Sequence, residues 1–320
     1  MARMEQAGGS AGGGQAAISH PGIAEYGLLL LLSLVWGSSF IAIKVAVANA
    51  MPPTTLVMLR MVVSTAMLCG LAVAKGQAWP RLDRDGWRLW LRIAFLGVVG
   101  SALPYFLISW GELFTSSQLA GILMATIPLF VVILAHFMTH DEKLSWGKLI
   151  GVCLGFLGVV ILVGVDALRG LGSQVIGQLA ILLGCFCYSF YGINTRRLPK
   201  MGSEMTVGSI LLAGTVLMLP VWLWHDRPWE LDWPGLWRSN ALAAALWLGF
   251  ASTGCGNLLF FVILRRAGAG FSSFNNYLVP LIALVYGYFW LGEQPGLNAV
   301  AALLLVLMGL AAPRLFGRRA

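Results

Sequence analysis

Charge is scarce in this chain. Only 11% of the 320 residues are Asp, Glu, Lys or Arg, against about 25% in a soluble domain. That is too little to cover a water-facing surface, which excludes an ordinary soluble fold. Cysteine is sparse and unpatterned. Cys69, Cys153, Cys185, Cys187 and Cys255 all sit in apolar runs, with no Cys-x-x-Cys and no metal-ligand spacing, and they read as small core residues. The histidines, His20, His136, His140 and His225, are scattered. No nucleotide loop, nucleophile elbow or paired-carboxylate motif occurs, so nothing points to an enzyme, a cofactor or a metal. The net charge is +8, but the basic residues are spread over short loops, which argues against nucleic acid as a partner.

What the chain has in abundance is apolar sequence. Hydrophobic residues make up 58% and mean hydropathy is +0.82. Runs of roughly 20 apolar residues recur along the whole length, each long enough for about 30 Å of hydrocarbon. They predict an all-α polytopic membrane protein with ten spans: 26–48, 54–74, 90–111, 115–138, 146–165, 176–195, 204–224, 241–264, 270–291 and 297–316. The first run is too long and too far in for a cleaved signal. Residues 1–25, with Gly8-Gly9-Ser10-Ala11-Gly12-Gly13-Gly14, read as a flexible tail. Placing both termini in the cytoplasm puts all but Lys44, Arg60, Arg169, Arg227 and Arg238 of the 21 basic residues inside, while the acidic residues divide almost evenly. That is the positive-inside pattern.

The chain also repeats itself. At an offset of 152 residues Trp36 meets Tyr188, Gly97 meets Gly249 and Pro128 meets Pro280. Glu142 and Glu293 follow the two Pro-containing segments at nearly the same distance. The expected organisation is a first five-helix repeat over 26–165 and a second over 176–316. Five is odd, so the copies must be inverted in the membrane, and inverted halves place a site at their interface.

Intramembrane polar groups mark where that site would lie. Lys44 and Arg60 sit in spans at one depth, about 6–10 Å below the outer boundary at roughly 1.5 Å per residue. They either face a wet cavity or snorkel to the headgroups. Glu112, near the outer end of the third span, is a partner for either. Trp36, Ser38, Ser39, Tyr105 and Trp110 in the first half, and Tyr188, Asn194, Asn257, Asn275 and Asn276 in the second, need polar partners in hydrocarbon. Each alone reads as a helix-to-helix contact; the set reads as a cavity lining. Pro104, Pro128, Pro220 and Pro280 lie inside apolar runs and are either static kinks or hinges. Gly151-x-x-x-Gly155 with Gly158 permits close helix approach, within one subunit or in a homodimer.

Trp36-Gly37-Ser38-Ser39-Phe40-Ile41-Ala42-Ile43-Lys44, Pro52-Pro53 and Leu59-Arg60 resemble the opening of EamA-type members of the drug/metabolite transporter superfamily. So do Ala125-Thr126-Ile127-Pro128-Leu129-Phe130, Leu278-Val279-Pro280-Leu281 and Leu291-Gly292-Glu293. The resemblance covers about 26–312. It implies ten helices, cytoplasmic termini, a cavity from spans 1, 3, 4, 6, 8 and 9, peripheral spans 5 and 10, and alternating access. The repeat is broken at the second cation: Lys44 is matched by Arg196, but Arg60 by Leu212. Members of the family move amino acids, other metabolites, drugs and nucleotide sugars. The expected function is a bacterial inner-membrane secondary transporter exporting a small polar metabolite, an amino-acid-like compound or a drug, either driven by a proton, exchanged against a counter-substrate, or passed by facilitation. The alternative is a channel, which should carry a filter loop or charged ring, or a non-transporting scaffold.

Overall fold

The computed structural model describes residues 22–81, 83, 86–138, 146–167, 172–199 and 201–316. Residues 1–21, His140 and Glu142 lie outside these. Among the described residues all regular structure is helical: α1 Ile23–Ala48, α2 Pro53–Ala74, α3 Gly86–Gly97, α4 Leu103–Gly111, α5 Ser117–Met124, α6 Ile127–Met138 and α7 Trp146–Ala167. Then come α8 Ser173–Thr195, α9 Ser203–His225, the short α10 Trp233–Arg238, α11 Ala241–Trp247, α12 Gly256–Ser272, α13 Asn275–Leu291 and α14 Leu297–Phe316. Helix α1 thus begins at Ile23, inside the 1–25 stretch expected to be a tail. Gly22 starts α1, its N–H donating to Glu25 Oε2 at 3.0 Å, which satisfies a donor the helix itself cannot.

Seven helical stretches among the described residues are long and apolar enough to cross a bilayer, where ten were expected. In α7 and α14 the described apolar stretches are Trp146–Leu162 and Leu297–Ala312. Helix α13 has 17 residues; Gly292 ends it with φ 64°, a left-handed geometry that glycine adopts without strain. Tryptophans gather at both ends of the bundle and are exposed. Trp224 and Trp229 mark one end and Trp87 and Trp146 the other, as in the aromatic belts of membrane proteins.

Packing follows the repeat. Helix α1 packs on α12 and α13, and its counterpart α8 packs on α4 and α6. Helix α2 packs on its counterpart α9, and α7 on α14. Small residues make these crossings close. A Cβ on Gly97 would lie 2.6 Å from Ile210 O and 2.7 Å from Gly214 N. A Cβ on Gly309 would lie 2.6 Å from Gly151 O, so the glycines of α7 serve its contact with α14.

Several spans are not regular α-helix. Two stretches wind as π-helix, Val98–Ala102 between α3 and α4 and Leu248–Cys255 between α11 and α12. They stand at matched places in the two repeats, each opening at the paired glycines Gly97 and Gly249. The fourth span breaks at Ala125–Thr126 into α5 and α6. Pro128 is then the second residue of α6, where its missing N–H costs no helical bond. Carbonyls at the break are met by α8 side chains: Ser189 Oγ donates to Ile127 O at 3.0 Å and Cys185 Sγ to Leu123 O at 3.4 Å. In hydrocarbon, irregular backbone survives only with such partners. Pro104 lies in the first turn of α4, just after its π stretch. Helices α9 and α13 run on through Pro220 and Pro280.

Candidate substrate cavity

A cavity of about 270 Å³ lies between the two repeats. Span by span it is bordered by Trp36, Ser39 and Ile43 of α1, Arg60 of α2, Ser101 and Tyr105 of the third span, and Gly121, Met124 and Ile127 of the fourth. The second repeat adds Tyr188 and Tyr191 of α8, Val207 of α9, Ser252, Thr253 and Asn257 of the eighth span, and Asn275, Asn276 and Pro280 of α13.

The polar edge is built on the second π stretch. Trp36 Nε1 donates to Ser252 O at 3.0 Å, and Asn257 Nδ2 to Thr253 O at 2.6 Å. Ser39 and Ser252 share a short hydroxyl contact. Arg60 Nε donates to Thr253 Oγ1 at 2.8 Å, and its guanidinium lies 3.8 Å over the Tyr105 ring, within cation–π range. Tyr105 meets Tyr188 edge-on, with centroids 6.2 Å apart. Asn275 Oδ1 accepts from Ser33 Oγ at 2.8 Å. The Asn276 side-chain amide has no hydrogen bond among the described residues, while its backbone N–H donates to Ser273 O at 3.1 Å.

The expected residues thus fall into two groups. Trp36, Ser39, Arg60, Tyr105, Tyr188, Asn257, Asn275, Asn276 and Pro280 border the cavity. Ser38, Lys44, Trp110, Glu112, Asn194, Pro104, Pro128 and Pro220 do not. Ser38 accepts from Trp247 Nε1 at 2.9 Å in a groove on another face of the bundle. Trp110 packs edge-on against Phe114, centroids 4.9 Å apart. Asn194 Nδ2 donates to Phe190 O at 2.9 Å. Lys44 Nζ donates to the carbonyls of Glu112 at 2.6 Å and Thr115 at 2.8 Å. It ties α1 to the C-terminus of α4, where a cation also meets the helix dipole favourably. The Glu112 carboxyl is fully buried, and neither of its oxygens has a hydrogen-bond partner.

Sequence reasoning missed Ser101, Tyr191, Ser252 and Thr253. A signal for two of them existed: Ser101 and Thr253 are partners at the 152-residue offset that pairs Trp36 with Tyr188.

The bundle is tied together at the end where Glu293 sits. The Glu293 carboxylate accepts from Ser117 N at 2.9 Å, Ser117 Oγ at 2.8 Å and Gln118 N at 3.1 Å. It thereby caps α5 from the opposite repeat, a favourable place for an anion. Thr54 and Thr55 both donate to Asp226 Oδ2. At the other end Lys75 pairs with Glu204 at 2.6 Å and Arg197 donates to Met138 O at 2.6 Å. The cavity lies between the two ends. Its lining comes near the Glu293 end at Ile43, Ile108 and Gly121, and near the other end at Val207 of α9.

Both halves of the chain, residues 24–164 and 175–312, match the model of the EamA-like transporter family. The chain belongs to that family. It is a multi-pass membrane protein and a membrane transporter, built as two EamA-like repeats. Among its relatives is the uncharacterized transporter YoaV of Bacillus subtilis, 22% identical over 88% of this chain and 94% of the relative. A probable terminal-alkyne amino-acid exporter of Streptantibioticus cattleyicolor is 27% identical over 91% and 92%. The uncharacterized inner membrane transporter YedA of Escherichia coli is 26% identical over 82% and 81%. One crystal structure superposes on this EamA-like chain with a TM-score of 0.65, covering 92% of the chain and 98% of its own, at 21% identity. That likeness establishes the fold alone.

Proposed function

We propose that this protein is a secondary transporter of the bacterial inner membrane that exports a small polar metabolite by alternating access. It has ten spans in two inverted repeats, over 26–165 and 176–316, with both termini in the cytoplasm. The observation that carries the reading is the cavity: both repeats line it, at the interface between the halves. In the orientation favoured by the basic residues, the Lys75 end is cytoplasmic and the Glu293 end external. The bonds of Glu293 to α5 are the proposed closure of the outer side.

The ten-span count combines the seven long apolar stretches with α7, α13 and α14. Export of an amino-acid-like compound is supported by the name of the Streptantibioticus relative. The cavity residues are the proposed substrate contacts, and the breaks at Ala125–Thr126 and at the two π stretches are the proposed flexing points, with Pro104 and Pro128 beside them. A channel is disfavoured because no filter loop or charged ring borders the cavity among the described residues.

The test starts from cells. Deletion and overexpression strains are compared for metabolites inside and in the medium, and the compound that moves is carried into counterflow with the purified protein in liposomes. Trans-accelerated exchange is expected. Flux without trans-acceleration would indicate a channel, and no flux a scaffold.

A further inference from the structure

Arg60 is the single charged side chain among the described residues that border the cavity. No Asp or Glu shares the space. The other polar groups are neutral hydroxyls and amides, including Ser39, Asn257 and Asn276. Lys44 does not neutralise or supplement this charge, because its ammonium is bound to backbone carbonyls elsewhere. No ion pair of Arg60 exists within 4.0 Å among the described residues.

The guanidinium is fixed but not used up. Its Nε is committed to Thr253 and its face to Tyr105. Of its five N–H donors, the four on the two terminal nitrogens have no hydrogen-bond partner among the described residues. Those two nitrogens form the planar fork that matches a carboxylate bidentately. A half-buried cation with no ion-pair partner is costly, and an anion entering the cavity would offset that cost. A cation would meet repulsion with no acid to compensate. A dianion would bring one more negative charge than the cavity can match. The same cavity is bordered by Trp36, Tyr105 and Tyr188, with Met124 and Val279, surfaces suited to an aromatic or aliphatic body.

We propose that Arg60 is the anion-binding residue of the cavity and that the substrate is a singly charged organic carboxylate with an aromatic or apolar body. This rests on the reading of the cavity as a transport site and narrows it. Amino acids qualify through their carboxylate; cationic drugs do not.

The test is chemical and needs no known substrate. The full chain in lipid nanodiscs is treated with phenylglyoxal, which condenses with the terminal nitrogens of an accessible guanidinium, and the Arg60 peptide is followed by mass spectrometry. Benzoate, 3-phenylpropanoate and acetate are compared with benzyltrimethylammonium, which cannot condense with the reagent, at equal concentration and ionic strength. Arg227, exposed in an outer loop, is the control. An Arg60 adduct is expected. An aromatic carboxylate should slow its formation about tenfold, as bidentate charge-assisted pairing would, while benzyltrimethylammonium has no effect and the Arg227 adduct forms at the same rate throughout. Absence of the adduct, no slowing by any of the carboxylates, or equal slowing by benzyltrimethylammonium would overturn the proposal. None of these results touches transport itself, which the counterflow experiment decides separately.

Discussion

The Arg60 guanidinium lies 3.8 Å above the centre of the Tyr105 ring. One residue comes from the second span and the other from the third, and the cation is tied to the second repeat by its bond to Thr253. Arg60 therefore reports on the relation between the halves as well as on the cavity wall. Tyr105→Phe keeps the ring face and should leave the apparent KM for counterflow near that of the native protein. Tyr105→Leu removes a cation–π contact worth about 0.5–2 kcal/mol, and should raise KM by roughly 2–30-fold with protein level unchanged. Equal KM values for the two variants would show that the ring does not position Arg60.

Lys44 and Arg60 share a depth but not a role. Lys44→Met would leave the carbonyls of Glu112 and Thr115 without their donor, at about 1–3 kcal/mol for a buried group. It should lower the temperature at which the purified protein loses its monodisperse form, with little change in KM. Arg60→Met should do the reverse, weakening transport while the protein stays folded. Loss of affinity in Lys44→Met at unchanged thermal stability would place its ammonium in the substrate path after all.

Close helix approach at Gly97 has no slack. Its Cβ would meet backbone atoms of Ile210 and Gly214, which cannot rotate away as a side chain can. Gly97→Ala should destabilise by about 1–3 kcal/mol, the usual cost of overpacking, seen as earlier aggregation on heating in detergent. Gly192 has nothing within 4 Å of its Cβ position, so Gly192→Ala should be neutral or mildly stabilising. Similar behaviour of the two variants would contradict the close α3–α9 crossing.

The membrane class, the repeat and most of the cavity wall were readable in the chain because they rest on composition and on residue types that hydrocarbon disfavours. Trp36, Tyr105, Tyr188, Asn257 and Asn276 were found that way. What escaped depends on partners distant in sequence. Hydropathy does not distinguish α from π winding, so Ser252 and Thr253 went unseen although Thr253 is the offset partner of Ser101. The break at Ala125–Thr126 is stabilised by Ser189 and Cys185 of another helix, which no local pattern reveals. The depth of Lys44 was readable, but its bonds depend on how the turn after α4 brings two carbonyls together. Ser38, Trp110 and Asn194 have the polarity of lining residues, yet their helix faces point elsewhere.

Glu293 should control which side opens. Its carboxylate makes three hydrogen bonds to the start of α5, and bonds to a charged group contribute about 1.5–3 kcal/mol each. Glu293→Gln should shift the population toward the outward-open form. A cysteine at Met124 in a Cys-less background should then react faster with a membrane-impermeant thiol reagent added outside. An unchanged outside rate would mean that the capping contact does not hold the outer side closed.

The same Met124 cysteine gives the most direct test of alternating access. Its labelling is measured in sealed right-side-out and inside-out vesicles, with and without a cross-link between cysteines placed at Ser117 and Glu293, made before Met124 is exposed to reagent. The account predicts reaction from both sides without the cross-link, and from the cytoplasmic side alone once the cross-link is made. Persistent labelling from both sides after cross-linking, or inertness from both sides throughout, would contradict it.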